Sequence, residues 1–315
     1  MTKHKDLISH FSRRQFLKSA SGLALAPLLS ATPLRFAMAA DSSIMTRPIP
    51  VSGEPLPIIG LGSWITFDVG RNQDARNNSK NIMQAFFERG GGMIDSSPMY
   101  GSAEEVIGDS LQKLGGHPGL FSATKVWIIG HMMGIYQMRE SQKLWKVPQI
   151  DLMQIHNMLD WRTHLKNLKE WKEAELIRYI GITTSHGRRH EKMEEALLEE
   201  DFDFVQFTYN VVDREAEQRL LPLAKEKGIA VIINRPFQRG ALFDLVKNKP
   251  LPAWASEIDC ENWAQFFLKF IVSHPAVTCA IPATSQLVHL HENMGAGSGR
   301  LPDKAMRARM AKLFS

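Results

Sequence analysis

The sequence predicts a single-domain (β/α)8 barrel of the TIM type, and three observations carry that prediction. Short apolar runs alternate with amphipathic helical stretches from residue 48 to the end of the chain. Eight such units in about 265 residues is the size and rhythm of this fold. Three consecutive apolar runs also deliver Asp95 and Tyr100, Lys125, and His156 at or just past their C-terminal ends, where a parallel barrel keeps its chemistry. A doubly wound sheet is the runner-up. It would want a glycine-rich phosphate fingerprint after its first strand, and Gly60-Leu61-Gly62 followed by Ser63-Trp64 is not one.

The elements follow in order. Residues 56–64 read as the first strand, and residues 78–89 as a helix burying Ile82, Met83, Ala85, Phe86 and Phe87. Three glycines then precede Met93-Ile94-Asp95, the second strand, which runs into a Ser/Pro/Gly turn. A helix starts at Ser102 with Glu104 and Glu105 in its first turn, where the helix dipole favours acids. Strands are expected over 121–127, 150–156, 177–184, 204–210, 229–234 and 277–282. Helices are expected over 131–145, 165–175, 188–199, 215–227, 260–273, 287–293 and 302–313, with a long proline-bearing loop between 234 and 260.

The first 39 residues stand apart from that pattern. Arg13-Arg14-Gln15-Phe16-Leu17-Lys18 leads into a modest apolar segment, and Ala37-Met38-Ala39 supplies a small-x-small cleavage site. The segment is too short and too weakly apolar to span a bilayer. It resembles a twin-arginine export signal, which implies a partner in the export machinery for folded proteins, a periplasmic location and no stable membrane anchor after cleavage. Residues 1–39 hold six of the 38 Lys/Arg and one of the 33 Asp/Glu, leaving 32 of each. The mature chain is formally neutral, so its overall basicity is no sign of nucleic-acid binding. Cys260 and Cys279 are the only cysteines and are expected to be free thiols. No metal-ligand spacing occurs: His289 and His291 lie two apart on one helix and face different ways.

A buried carboxylate needs a partner, and the lone cation in the next apolar run, Lys125, is the one expected for Asp95. Taken singly, each of these groups has a bland reading: a satisfied structural histidine, a snorkelling lysine, a loop tyrosine. In company they match a known pattern. Ile59 to Trp64, Ile94-Asp95 through Tyr100-Gly101, Thr124-Lys125, Gln154 to Asn157, Ile180 to Thr183, Gln206 with Tyr209-Asn210, and Ile281-Pro282 through Glu292-Asn293 resemble the aldo/keto reductase family in order and spacing.

The resemblance implies that Asp95, Tyr100, Lys125 and His156 form a catalytic tetrad reducing a small carbonyl substrate with a hydride from NADPH, NADH being the alternative donor. Tyr100 would be the general acid, made more acidic by Lys125, which Asp95 holds charged. His156 would orient the carbonyl or share the proton at lower pH. The cofactor would lie along Gly62, Ser63 and Trp64, then Asn157, Thr183 and Gln206 at the carboxamide. Asn234 and Arg235 stand where the family often has a stacking aromatic and a serine, so Arg235 is expected to pair with pyrophosphate. Thr284 and Ser285 suit a 2′-phosphate and Glu292 and Asn293 adenine, while His289 replaces the arginine common at that phosphate. Trp64, Ile65, Met99, Trp127, Ile128 and Phe237 are the expected apolar mouth. A cofactor-holding module that senses redox state or binds a partner, with little turnover, is the alternative function.

Overall fold

The computed structural model describes residues 44–314, so the export-signal motif lies outside the described residues. Eight parallel strands follow one another around the sheet: β3 (Leu61–Gly62), β4 (Met93–Asp95), β5 (Phe121–Val126), β6 (Ile150–Ile155), β7 (Ile177–Thr183), β8 (Phe204–Thr208), β9 (Ala230–Asn234) and β10 (Cys279–Ala280). Parallel bridges Ile59–Ala280 and Gly62–Ala283 join the first strand region to the last, so the sheet closes into the predicted (β/α)8 barrel. Gly62 is required at that seam, because a Cβ there would stand 2.8 Å from the carbonyl oxygen of Ile281.

The region expected as one strand over 56–64 divides in two. Pro55–Pro57 (β2) pairs antiparallel with Thr46–Pro48 (β1), and its Leu56, with Ile49, is buried with the barrel interior. This hairpin was not visible in the sequence, since two three-residue strands containing prolines carry no periodic signal. Outside the barrel run α1 (Gln73–Glu88), α2 (Ala103–Leu114), α3 (His131–Trp145), α4 (Trp161–Glu173), α5 (His190–Glu199), α6 (Leu220–Glu226), α7 (Ala241–Val246), α8 (Trp263–Val272), α9 (Leu287–Gly295) and α10 (Lys304–Lys312). The expected loop between 234 and 260 in fact holds α7 and a 3-10 turn, Ala253–Ile258. In α1, Ile82, Met83, Phe86 and Phe87 form the buried stripe, and the Asn72 side chain accepts the N–H of Ala75 at 3.0 Å to cap the helix start.

Alternation along the strands positions the chemistry. Met93, Phe121, Ala123, Leu152, Tyr179, Phe204, Ala230 and Ile232 fill the barrel with an apolar cluster. Two residues further along their strands, on the same inward face, stand Asp95, Lys125, Gln154 and Gln206, all buried. The interior therefore changes from apolar to polar at its C-terminal end. Cys260 and Cys279 are buried free thiols, as expected.

Candidate active site

The four expected catalytic side chains come together at that end. The Lys125 ammonium, 0% exposed, donates to Asp95 Oδ1 at 2.5 Å and to the carbonyl oxygen of Ser96 at 2.7 Å. It lies 5.1 Å from the centroid of the Tyr100 ring. Burial opposes the charge on Lys125, but Asp95 and then Tyr100 outweigh it, and the lysine titrates above its ordinary value. Asp95 Oδ2 accepts from the side-chain amides of Gln154 and Gln206, each at 3.0 Å. The carboxylate thus has three donors, which is what a buried anion needs.

Tyr100 sits in the turn after β4. Gly101 follows it with φ +57°, and a Cβ there would collide with the Asp68 carboxylate at 2.2 Å, so a left-handed glycine lets the tyrosine reach the barrel mouth. Its phenol is not more acidic than a free tyrosine, as had been expected. Burial raises its pKa most strongly, Lys125 lowers it in part, and Asp95 raises it again. The cation offsets the cost of ionising a buried phenol, and Tyr100 stays protonated at neutral pH.

His156, at the end of β6, packs edge-on to Tyr100 with ring centroids 5.7 Å apart. Burial, followed by the Lys125 charge, lowers its pKa to about 3. It therefore does not share the proton transfer on mild acidification, as the sequence reading allowed; it remains a neutral imidazole. Ser97 decides its tautomer. The Ser97 hydroxyl is 0% exposed, accepts the N–H of Met99 at 3.2 Å and lies 2.8 Å from His156 Nδ1. A buried hydroxyl proton left without an acceptor is costly, so the hydroxyl donates to Nδ1 and the imidazole proton sits on Nε2. Nothing in the spacing of the sequence pointed to Ser97.

Two more residues escaped the sequence reading. Gln154 is recognisable afterwards as the polar inward mate of Leu152. Glu104, expected to answer the helix dipole, is instead buried and accepts from Thr124 Oγ1 at 2.5 Å and from Ser141 Oγ and Trp145 Nε1 at 3.0 Å. It ties α2 and α3 to β5 beside Lys125.

The expected cofactor residues fall around two cavities, and several are also bonded within the protein. Gly62, Ser63, Trp64, Asn234 and Arg235 line a cavity of about 370 Å³ that also reaches Asp95 and Tyr100. Thr284, His289, Glu292 and Asn293 line a second cavity of about 490 Å³, and Phe237, Phe243 and Ala283 border both. Asn157, Thr183 and Gln206 line neither cavity, and they and several of the lining residues are engaged within the protein. Thr183 Oγ1 accepts the N–H of Asn157, Gln206 holds Asp95, and the Ser63 hydroxyl donates to the carbonyl of Asp95. Asn234 donates to the Thr184 carbonyl and to Gln206 Oε1, and accepts from Thr208. Thr284 accepts the N–H of Gln286 at the start of α9. Ser285 is exposed and does not line either cavity. Of the expected apolar mouth, Trp64, Ile65 and Phe237 line the first cavity, Met99 and Trp127 are exposed, and Ile128 is partly buried against the core.

Arg235 and Arg239 both line the first cavity and add positive charge to it. Each depresses the titration of His186, and Arg239 lowers that of Arg235, after burial in both cases. The Arg239 guanidinium also stacks 4.1 Å from the Trp64 ring, joining the loops after β9 and β3 across the first cavity.

A model of the aldo/keto reductase family matches residues 58–313. The chain is 26% identical over 199 residues to aldo-keto reductase YhdN of Bacillus subtilis (strain 168), covering 58% of this chain and 59% of that protein, less than two thirds of its length. It is 26% identical over 240 residues to the NADH-specific methylglyoxal reductase of Escherichia coli (strain K12), covering 66% and 72% respectively. An aldo-keto reductase structure from Klebsiella pneumoniae in complex with NADPH matches with a TM-score of 0.71 at 21% identity, over 86% of this chain and 95% of that one. That last likeness is one of fold.

Proposed function

The chain belongs to the aldo/keto reductase family, and from that membership we propose that it reduces an aldehyde or ketone to an alcohol with NADPH as hydride donor. The observation that carries this reading is the buried Lys125–Asp95 pair at 2.5 Å beside Tyr100, opening onto the first cavity. The residues suit a dinucleotide. Two adjoining cavities share Phe237, Phe243 and Ala283, the first reaches the tetrad and carries two arginines that suit a pyrophosphate, and Glu292 and Asn293 in the second offer polar groups for a base. The departure is Asn234, which offers an amide where an aromatic would stack.

When bound, the reduced nicotinamide supplies a hydride to the carbonyl carbon. Charge then accumulates on the carbonyl oxygen, and the work of the protein is to meet it. His156 donates Nε2–H to that oxygen and fixes its place. Tyr100 gives up its phenolic proton to it, and the Lys125 ammonium stabilises the phenolate left behind. Asp95, held by Gln154 and Gln206, keeps Lys125 charged through the cycle. His289 lacks the forked guanidinium that grips a phosphate with two hydrogen bonds, which leaves NADH as the competing donor, as the name of the Escherichia coli relative suggests for that protein.

The decisive trial is steady-state oxidation of NADPH by the purified protein on addition of a panel of aldehydes. Carbonyl-dependent turnover is expected. Tight NADPH retention with no steady-state rate would overturn it and favour the cofactor-holding sensor or partner-binding module. Residues 12–39 further support export of the folded protein to the periplasm by the twin-arginine route. Arg13→Lys combined with Arg14→Lys is then expected to leave the uncleaved precursor in the cytoplasm; cleavage proceeding as before would count against it.

A further inference from the structure

The rim of the barrel after β5 has a character that carbonyl reduction in general does not require. Residues 127–138 form twelve consecutive positions without a lysine, arginine, aspartate or glutamate. Four of their large apolar side chains on and just before α3 are turned outward, while Met138 is buried. Ile129 and Met132 are each 70% exposed, Tyr136 61% and Met133 49%. Single exposed apolar residues need no explanation, but a contiguous set beside a reactive site marks a binding surface.

The set is held rigidly and joined to the tetrad. Trp127 begins it, with its ring centroid 6.3 Å from that of His156. The Trp127 backbone is clamped by Gln137, which accepts its N–H at 2.6 Å and donates to its carbonyl at 3.3 Å. Met133 lies one helical turn before Gln137 on α3, on the helix face that carries Gln137, and Met132 and Tyr136 are likewise one turn apart. Gly130 N–H is fixed by Asp160 Oδ2 at 2.8 Å, and the start of α3 is tied to α4 by His131 and Asn167. Meanwhile α3 faces the core through Gly134, Met138, Ser141 and Trp145, so the exposed residues are not those that hold the helix in place. Methionine-rich surfaces adapt to flexible apolar ligands.

Resting on the reductase reading, we propose that this rim receives the long, uncharged hydrocarbon chain of the carbonyl substrate, and that the enzyme prefers aldehydes with flexible tails of about eight to ten carbons over short ones. A substrate rather than a protein is assigned because the track starts beside His156. A molecule whose carbonyl sits at the tetrad carries its tail onto Trp127 and then Met133. Full burial of one methylene corresponds to nearly a fourfold gain, so a half-covered tail is expected to gain about twofold per carbon.

The test measures kcat/KM for unbranched alkanals from propanal to decanal with saturating NADPH. A rise of about a hundredfold across the series is expected, and Met133→Lys is expected to lower the decanal-to-propanal ratio about tenfold. A flat series, or a ratio untouched by Met133→Lys, overturns the proposal while leaving the reductase reading intact. No reduction at any chain length overturns the reductase reading instead. The rim is then judged by decan-1-ol binding to protein labelled at its methionine methyl carbons, where unmoved Met132 and Met133 signals defeat it. A dimer in sedimentation that Met132→Lys dissociates would assign the rim to a subunit interface and also defeat it.

Discussion

The two sides of the barrel mouth are built differently. On the side formed by β4 to β6, Asp95, Lys125 and His156 are fixed by hydrogen bonds made within the protein: Lys125 to Asp95 and Ser96, Asp95 to two glutamines, His156 to Ser97. On the side formed by β7 to β10, several groups expected to hold a cofactor are also bonded, but to each other. The turn after β9 keeps Arg235, Gln238 and Arg239 at φ +50°, +49° and +61°, a left-handed conformation that costs of order 1 kcal/mol per residue and that clusters at ligand clamps. The first side is set before anything binds. The second has bonds to exchange, since Gln206 and Asn234 link to each other at 3.3 Å and connect the proposed cofactor side to Asp95.

The largest expected effect is on the set side. Tyr100→Phe removes the proposed proton donor while keeping the ring that lines the first cavity, so kcat is expected to fall about a thousandfold, with NADPH binding by fluorescence titration retained. An equal loss of binding would show that Tyr100 holds the cofactor rather than the proton. Next comes Asp95→Ala, which leaves a buried ammonium without its anion. Urea denaturation is expected to show about 3–5 kcal/mol of lost stability, and a change within 0.5 kcal/mol would mean Lys125 is not charged when Asp95 is absent.

The pH dependence of stability separates the sides further. His156 takes up its proton near 6.5 in the unfolded chain and only at about 3 in the folded protein. Its contribution is therefore complete above pH 6.5 and is lost as pH falls toward 3. Between pH 6.5 and 5 the wild type is expected to lose about 1.6 kcal/mol relative to His156→Gln; parallel curves would contradict the neutral imidazole. Ser97→Ala removes the group that selects the tautomer, with an expected cost of about 1 kcal/mol in stability and a severalfold drop in kcat. The smallest effect belongs to the adaptable side. His289→Arg places a permanently charged, forked guanidinium at an exposed site and is expected to tighten NADPH over NADH about threefold, and an unchanged ratio would remove His289 from the phosphate subsite.

Much of this was legible in the sequence because strand alternation and chemistry coincide. Met93-x-Asp95 and Ala123-x-Lys125 each place a charged group one inward step beyond an apolar one, and α3 occupies its expected span of residues 131–145. What was missed depends on contacts between distant residues. Ser97 meets His156 across 59 positions, and Gln206 meets Asp95 across 111; no local spacing encodes either. The acidity of Tyr100 was misjudged for a related reason. A nearby cation can be inferred from sequence, whereas the depth of burial that outweighs it cannot.

The claim that the tetrad side is preset is tested most directly at His156. Long-range proton–nitrogen correlation spectra of ¹⁵N-histidine-labelled protein, assigned with His156→Gln, report its charge and tautomer without any ligand. A neutral ring protonated on Nε2 throughout pH 5 to 8 is the predicted result. A ring that titrates near pH 6.5, or one carrying its proton on Nδ1, would contradict it.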